Sequence, residues 1–340
     1  YTTLFRSGIL DIKTTILPNA DALFLTAIDK YGHELWRWTF PVDKLNQTNE
    51  VFSPLSGKAT YSETENELTV KAKNHTFIFS KRDGQLKGVS VNNHKISFAN
   101  GPRFIGARRA DRSLDQFYNH DDEKAKEKDR TYSEFPDAAV FTKLEVKEDG
   151  GNLIVTANYK LGNLDKAQWT INPNGEAALD YTYNFSGVVD LIGISFDYPE
   201  DQVISKRWLG AGPYRVWQNR IHGTQYDVWE NDYNDPIPGE TFTYPEFKGY
   251  FDSVSWMNIR TKEGTISLTN ETPDSYIGVY QPRDGRDRLL YTLPESGISV
   301  LDVIPPVRNK VNSTDLCGPS SQPKWVNGPQ TGRIIFRFME

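Results

Sequence analysis

Trp208-Leu-Gly-Ala-Gly-Pro-Tyr-Arg-Val-Trp-Gln-Asn-Arg220 is the stretch on which the reading of this 340-residue chain turns. Gly210, Gly212 and Pro213 allow a tight backbone path beside bulky rings. Two tryptophans, a tyrosine and two arginines follow one another so closely that they can build a polar, aromatic-walled surface, the kind on which sugars bind. Phosphate cradles are excluded: there is no Gly-Lys-Ser/Thr, and the glycines do not have dinucleotide-binding spacing. A strand-like run, Leu191–Tyr198, precedes the stretch, and an aromatic, acidic segment, Tyr226–Tyr250, follows it.

Composition widens the same reading. Aromatics make up 13% of the chain, with 8 Trp, 17 Tyr and 18 Phe, which favours strands and carbohydrate contact over helices. The 25 Gly and 19 Pro are spread along the chain and suit many turns. A net charge of -6 without a basic stripe argues against nucleic acid as a partner. Cys317 is the single cysteine, so an internal disulfide and a cysteine-rich metal site are both excluded. No apolar run approaches the ~18 residues of a membrane-spanning helix. The length suggests about two domains with a sizeable core.

Along the chain, Tyr1–Ser7 (Tyr-Thr-Thr-Leu-Phe-Arg-Ser) is what TAC ACG ACG CTC TTC CGA TCT encodes, the tail of a common sequencing adaptor, and residues 1–7 are set aside as an artefact. The natural sequence is then expected to begin mid-protein, near Gly8. Ile9–Ile16, Ala22–Ile28 and Glu34–Phe40 read as strands, and residues 8–42 as the end of an immunoglobulin-like sandwich. Residues 43–56 read as a linker. From residue 57 to 340 short strands recur about every dozen residues, punctuated by Lys81-Arg-Asp-Gly, Asn92-Asn-His, Gly150-Gly and Asn172-Pro-Asn-Gly turns. Asn100–Phe104 reads as a Gly-Pro corner. The expected fold class is all-β, a large antiparallel β-sandwich without βαβ alternation or a propeller repeat.

Ile192-Gly-Ile-Ser-Phe, Trp208-Leu-Gly-Ala-Gly-Pro and Arg220 resemble, in order and spacing, the carboxy-terminal sandwich of family 2 β-galactosidases. That domain, the small chain, is one of the galactose-mutarotase-like supersandwiches. Weaker matches keep the family's order. They are the hairpin Phe77-Ile-Phe-Ser-Lys-Arg-Asp-Gly, Gly101-Pro through Arg108 and Arg109, Tyr244-Pro-Glu-Phe-Lys-Gly, and Leu316-Cys-Gly-Pro through Trp325. Gly32-His-Glu-Leu-Trp-Arg-Trp resembles the end of the preceding immunoglobulin-like domain. The chain departs from the pattern where Asp190-Leu191 replaces Pro-Arg, where Tyr214-Arg-Val-Trp follows Gly-Pro, and where Ser320-Ser-Gln-Pro-Lys precedes the late tryptophan. These departures leave the sugar preference open.

The resemblance implies a retaining glycosidase as parent. Such enzymes use two carboxyl groups about 5–5.5 Å apart. In the family both sit on a (β/α)8 barrel, and no strand–helix alternation is present here. The catalytic glutamates are therefore expected upstream, with none in this chain. Substrate contact is assigned by resemblance to Trp325, a sugar platform in the family; Arg215 and Arg220 can bind a carboxylate or sulfate bidentately, and Tyr244 and Glu246 can line the same groove. Trp208, Gly210, Gly212 and Pro213 are assigned to the corner. Two other readings are kept: the sandwich of a polysaccharide lyase, using Tyr214, Arg215, Arg220 and His222 beside a uronate, and a non-catalytic carbohydrate-binding module. His222 near Glu230 is the one histidine–carboxylate pairing that suits acid–base work. No cofactor is expected, and no transition-metal spacing occurs. A structural calcium or sodium site among Asp232, Asn234 and Asp235 stays open. The expected partner is a carbohydrate shared with the upstream barrel, with no nucleic acid or membrane, and an oligomer is compatible with the sequence. A bacterial periplasmic or secreted setting is expected.

Overall fold

The computed structural model describes residues 9, 11–17, 20–42, 52, 56–109, 132–232, 249–272, 274–280, 296–306 and 319–340. The chain divides into two compact units, Tyr1–Glu50 and Val51–Glu340.

In the first unit, β1 (Ala22–Ile28) and β2 (Glu34–Pro41) form an antiparallel hairpin. Asp29 closes its turn by accepting from the backbone N–H groups of Tyr31 and His33, both at 2.8 Å. The register sets Leu23 opposite Phe40, Leu25 opposite Trp38 and Ala27 opposite Trp36, so one face is apolar. Of the strand expected at Ile9–Ile16, the described residues, 9 and 11–16, are irregular and exposed.

The second unit opens with a meander: β3 (Thr60–Glu63), β4 (Glu67–Ala72), β5 (His75–Ser80), β6 (Leu86–Val91) and β7 (His94–Ile96). Asn92 and Asn93 both take left-handed backbone, with φ 48° and 69°, which makes a tight hairpin turn where the Asn-Asn pair predicted one. Asn100–Phe104, expected as a Gly-Pro corner, falls within a long strand, β8 (Ala99–Arg109), and interrupts its ladder: Asn100 takes left-handed backbone at φ 52°, Gly101–Pro102 is cis, and the pairing with Leu191–Asp197 passes from Arg103 to Ala99 without residues 100–102. Next come β9 (Tyr132–Glu134), β10 (Val140–Asp149), β11 (Asn152–Lys160), β12 (Leu164–Ile171), β13 (Ala177–Val189) and β14 (Leu191–Asp197). The remaining strands are β15 (Val203–Gly212), β16 (Gln225–Asp232), β17 (Phe251–Asp252), β18 (Trp256–Thr261), β19 (Gly264–Asn270), β20 (Tyr276–Val279), β21 (Ile298–Val303) and β22 (Lys324–Met339). No α-helix occurs among the described residues.

These strands build two antiparallel sheets. One runs β10-β11-β12-β13-β22-β19-β18-β15-β16; the other runs β17-β20-β21-β14-β8-β6-β5-β4-β3, with β7 on β6 and β9 on β8. Inward side chains of both interdigitate. Phe79 of the second sheet meets Trp169 of the first at 6.0 Å, and Phe196 meets Phe336 at 5.5 Å. Each such ring, fully buried, contributes on the order of 1.5–3 kcal/mol. The all-β sandwich is thus the observed architecture.

The strand β14 explains the Ile-Gly-Ile pattern. Ile192, Ile194 and Phe196 point into this main core, while Leu191 points to the opposite face and joins a second apolar cluster. That cluster includes Ile105 and Ala107 of β8 and Leu301 of β21, so the second sheet is buried on both faces along this band. Gly193 is required by close approach: a Cβ there would lie 2.1 Å from the Val300 carbonyl oxygen.

Candidate functional site

The stretch Trp208–Arg220 crosses from one sheet to the back of the other. Trp208–Gly212 completes β15, with Trp208 fully buried and its indole N–H donating to the Ala211 carbonyl at 3.0 Å. Its ring meets Phe251 edge-on at 4.9 Å. Gly210 and Gly212 are needed for close approach rather than for a turn. A Cβ at Gly210 would lie 3.0 Å from the Ser253 carbonyl oxygen, and one at Gly212 would lie 2.4 Å from the Trp229 ring. After the cis Gly212–Pro213 bond, Val216 exchanges both backbone hydrogen bonds with Tyr250, at 2.7 and 2.8 Å. Val216 and Trp217 then cap the second apolar cluster.

The same segment reaches the turn that precedes the late tryptophan. The Gln218 backbone N–H donates to the Pro305 carbonyl at 3.1 Å. Its side-chain amide donates to the Gln322 carbonyl at 2.7 Å, and the Asn219 amide donates to the Ser321 hydroxyl at 3.3 Å. Ser321 ends a short 3₁₀ turn, Pro319–Ser321, that leads into β22. Two segments a hundred residues apart are therefore tied together. Arg220 lies within about 7 Å of chain from Gln218, and Trp325 within about 11 Å of chain from Gln322.

Trp325 itself sits opposite Val188 on β13. The strand alternation that turns Val326 into the core turns Trp325 outward, and its side chain is 68% exposed. An indole left in water on a rigid strand offers an apolar face and an outward N–H donor, the chemistry that receives a pyranose ring. Beside it, Ser186 donates to the Asn327 side-chain oxygen across the two strands.

The two arginines part company. Arg220 is exposed next to the tied turn. Arg215 is 5% exposed, with its guanidinium 5.9 Å from the Phe251 ring, where Lys206 also packs at 5.9 Å. Tyr214 is 43% exposed. Tyr244 and Glu246 lie outside the described residues, as do Asn234 and Asp235. His222 and Glu230 are both exposed, and no ion pair joins them. Among the described residues no group of three or more His, Cys, Asp or Glu is placed to hold a metal ion.

Sequence reasoning missed the residues that do the tying, Gln218, Asn219, Ser321 and Gln322. Amide and hydroxyl side chains carry no periodic signal, and only a fold that joins the two segments reveals them. It also missed a buried polar pair between the sheets. Tyr183 donates to the Asp302 carboxylate, and burial holds that carboxyl above its ordinary value while the tyrosine's hydrogen bond acts the other way.

Two solved structures are similar to the chain over most of its length. One is galactose 1-epimerase from Lactobacillus acidophilus NCFM, at 10% identity, with 84% of this chain and 99% of that chain covered and a TM-score of 0.46. The other is the GalM/aldose epimerase homologue from C. elegans, at 9% identity, with 83% and 99% covered and a TM-score of 0.38. No curated protein matches the chain. The family described as beta galactosidase small chain matches residues 71–296, which include β14, the Trp-Leu-Gly-Ala-Gly-Pro corner and the strands that flank it, and the chain belongs to that family.

Proposed function

We propose that this chain is the carbohydrate-contacting, carboxy-terminal part of a family 2 β-galactosidase-like glycoside hydrolase, whose catalytic glutamates stand on an upstream barrel. The family match supports the parent class. The observation that carries the contact role is Trp325, 68% exposed on a strand whose lead-in turn is hydrogen-bonded to the Gly-Pro segment. A side chain that needs no burial for stability, yet is held on a rigid element, is placed for a partner. Arg220, exposed after the tied segment, supplies a further donor for sugar oxygens. Arg215, packed on Phe251, shapes the segment from within. The chain alone binds sugar and does not cleave it.

The test uses the chain as it stands. Titration with D-galactose and lactose should show weak binding that Trp325→Ala reduces at least tenfold without changing the unfolding temperature. The same protein should release no nitrophenol from nitrophenyl β-galactoside. Turnover by the isolated chain, or unchanged galactose affinity in the variant, would overturn the reading. Rising ultraviolet absorbance with a uronate polymer would replace it with the lyase.

A further inference from the structure

A second concave feature lies along β8. On one edge this strand pairs with β6 only at Leu86 opposite Gly101, and with β9 only from Ala107 onward. The Gly106 carbonyl is taken by the Phe135 N–H at 2.8 Å. Among the described residues no strand pairs with Pro102–Ile105 on that edge, and the gap opens into a cleft of about 590 Å³. This volume falls within the ~300–1,000 Å³ usual for small-molecule sites.

The lining is specific in its chemistry. Arg103 and Asp197 form an ion pair on one side, and Asn100 donates to the other Asp197 oxygen at 2.8 Å. Glu134 and Asp137 also line the cleft. One Asp137 oxygen is fixed by the Ala139 N–H at 3.1 Å and the Asn163 N–H at 3.3 Å. Glu134, paired through its backbone with Ala107, leaves its side chain exposed. Ile105, Phe135 and Pro136 add apolar surface, and Phe135 is held by the Phe185 ring at 5.0 Å.

Three carboxylates against one arginine repel an anion. The described residues hold no three-ligand cluster for a metal ion. Ionised carboxylates only accept hydrogen bonds, so they select a ligand rich in donors, and the apolar wall selects one with a C–H face. We propose that the cleft is a second saccharide-binding site that takes a neutral sugar ring. The ring's hydroxyls donate to Glu134 and Asp137, and its C–H face lies on Phe135 and Pro136. The site stands on its own lining and does not need Trp325 to bind.

Saturation-transfer NMR and calorimetry with D-galactose and lactose would test it on the full chain, Trp325→Ala, Glu134→Arg and the double variant. Trp325→Ala is expected to retain saturable sugar binding. Adding Glu134→Arg should raise that residual Kd at least tenfold, with the unfolding temperature unchanged because Glu134 is exposed. The proposal is overturned if Trp325→Ala alone removes all binding, if Glu134→Arg leaves the residual Kd unchanged, or if neither sugar binds. Binding of calcium chloride that Glu134→Arg abolishes, without sugar competition, would overturn it in favour of a cation site. Unaltered binding in Trp325→Ala together with loss in Glu134→Arg would leave this proposal standing and sink only the platform role of Trp325.

Discussion

Replacing Trp217 by alanine probes the claim that the segment after Gly212–Pro213 caps the back of a sheet. Trp217 is fully buried, stands edge-on to Tyr250 at 5.7 Å, and packs in the cluster with Leu191, Leu301 and Ile304. Tryptophan-to-alanine changes in such surroundings cost about 3–5 kcal/mol, counting lost transfer energy and the cavity left behind. The unit from Val51 to Glu340 has about 290 residues. At ~2.1 cal/mol/K per residue its unfolding entropy is about 0.6 kcal/mol/K, so the unfolding temperature should fall by roughly 5–8 °C. Differential scanning calorimetry gives that shift directly. Because Gln218 and Asn219 follow immediately and hold the turn before Trp325, galactose affinity should fall as well. A shift under about 2 °C would refute the packing argument, since a ring in an ordinary surface loop costs about 0.5 kcal/mol or less to truncate.

Two other perturbations read different parts of the fold. Gly193→Ala drives a methyl group to 2.1 Å from the Val300 carbonyl oxygen and 2.7 Å from the Leu301 Cα. Backbone on a central strand cannot swing away, so a loss of about 1–3 kcal/mol in urea unfolding is expected, and a neutral result would mean that β14 and β21 separate easily. Asp302→Asn keeps an acceptor for the Tyr183 hydroxyl but cannot ionise. Burial raises the Asp302 pKa in the folded state, so its contribution to stability is complete below the unfolded value near ~3.9 and is lost as pH rises through the folded value. The variant should therefore gain on the parent as pH is raised from 4 to 7, and parallel urea-unfolding curves across that range would contradict the assignment.

What the sequence disclosed follows physical lines. Strands with one buried face announce themselves by alternation, as in β4, where Leu68, Val70 and Ala72 are buried between exposed or half-buried neighbours. Asn92-Asn93 marked its turn because few residues accept left-handed backbone. The Gly-Pro pair at Gly101–Pro102 marked a break in the ladder, where residues 100–102 have no partner on β14, but not that the chain resumes the same strand on both sides of it. Arg215 and Arg220 looked alike in the sequence, five residues apart. Only the path of the chain over the second sheet buries one and exposes the other. The cleft was illegible for the same reason: Arg103, Glu134 and Asp197 come from three strands, and no spacing rule joins them.

The Gly-Pro corner and the exposed tryptophan answer to one constraint. A strand leaving the first sheet at Gly212 must bring its continuation across to the second, and the apolar back of that second sheet rewards it for lying down there. Once Val216 and Trp217 are seated, Gln218 and Asn219 follow with amides to satisfy, and the Pro319–Gln322 turn satisfies them through the Gln322 carbonyl and the Ser321 hydroxyl. That turn fixes where β22 begins, and the pairing of Trp325 with Val188 fixes which way its ring points. The outward indole is thus positioned by apolar burial at Trp217 and oriented by strand alternation at Val326. Its rigidity draws on the stability of the whole sandwich rather than on contacts of its own. A substitution at Trp217 and one at Trp325 should therefore weaken sugar binding together while only the first lowers the unfolding temperature. Equal thermal losses from both would mean that Trp325 is packed against the protein and not offered to a ligand.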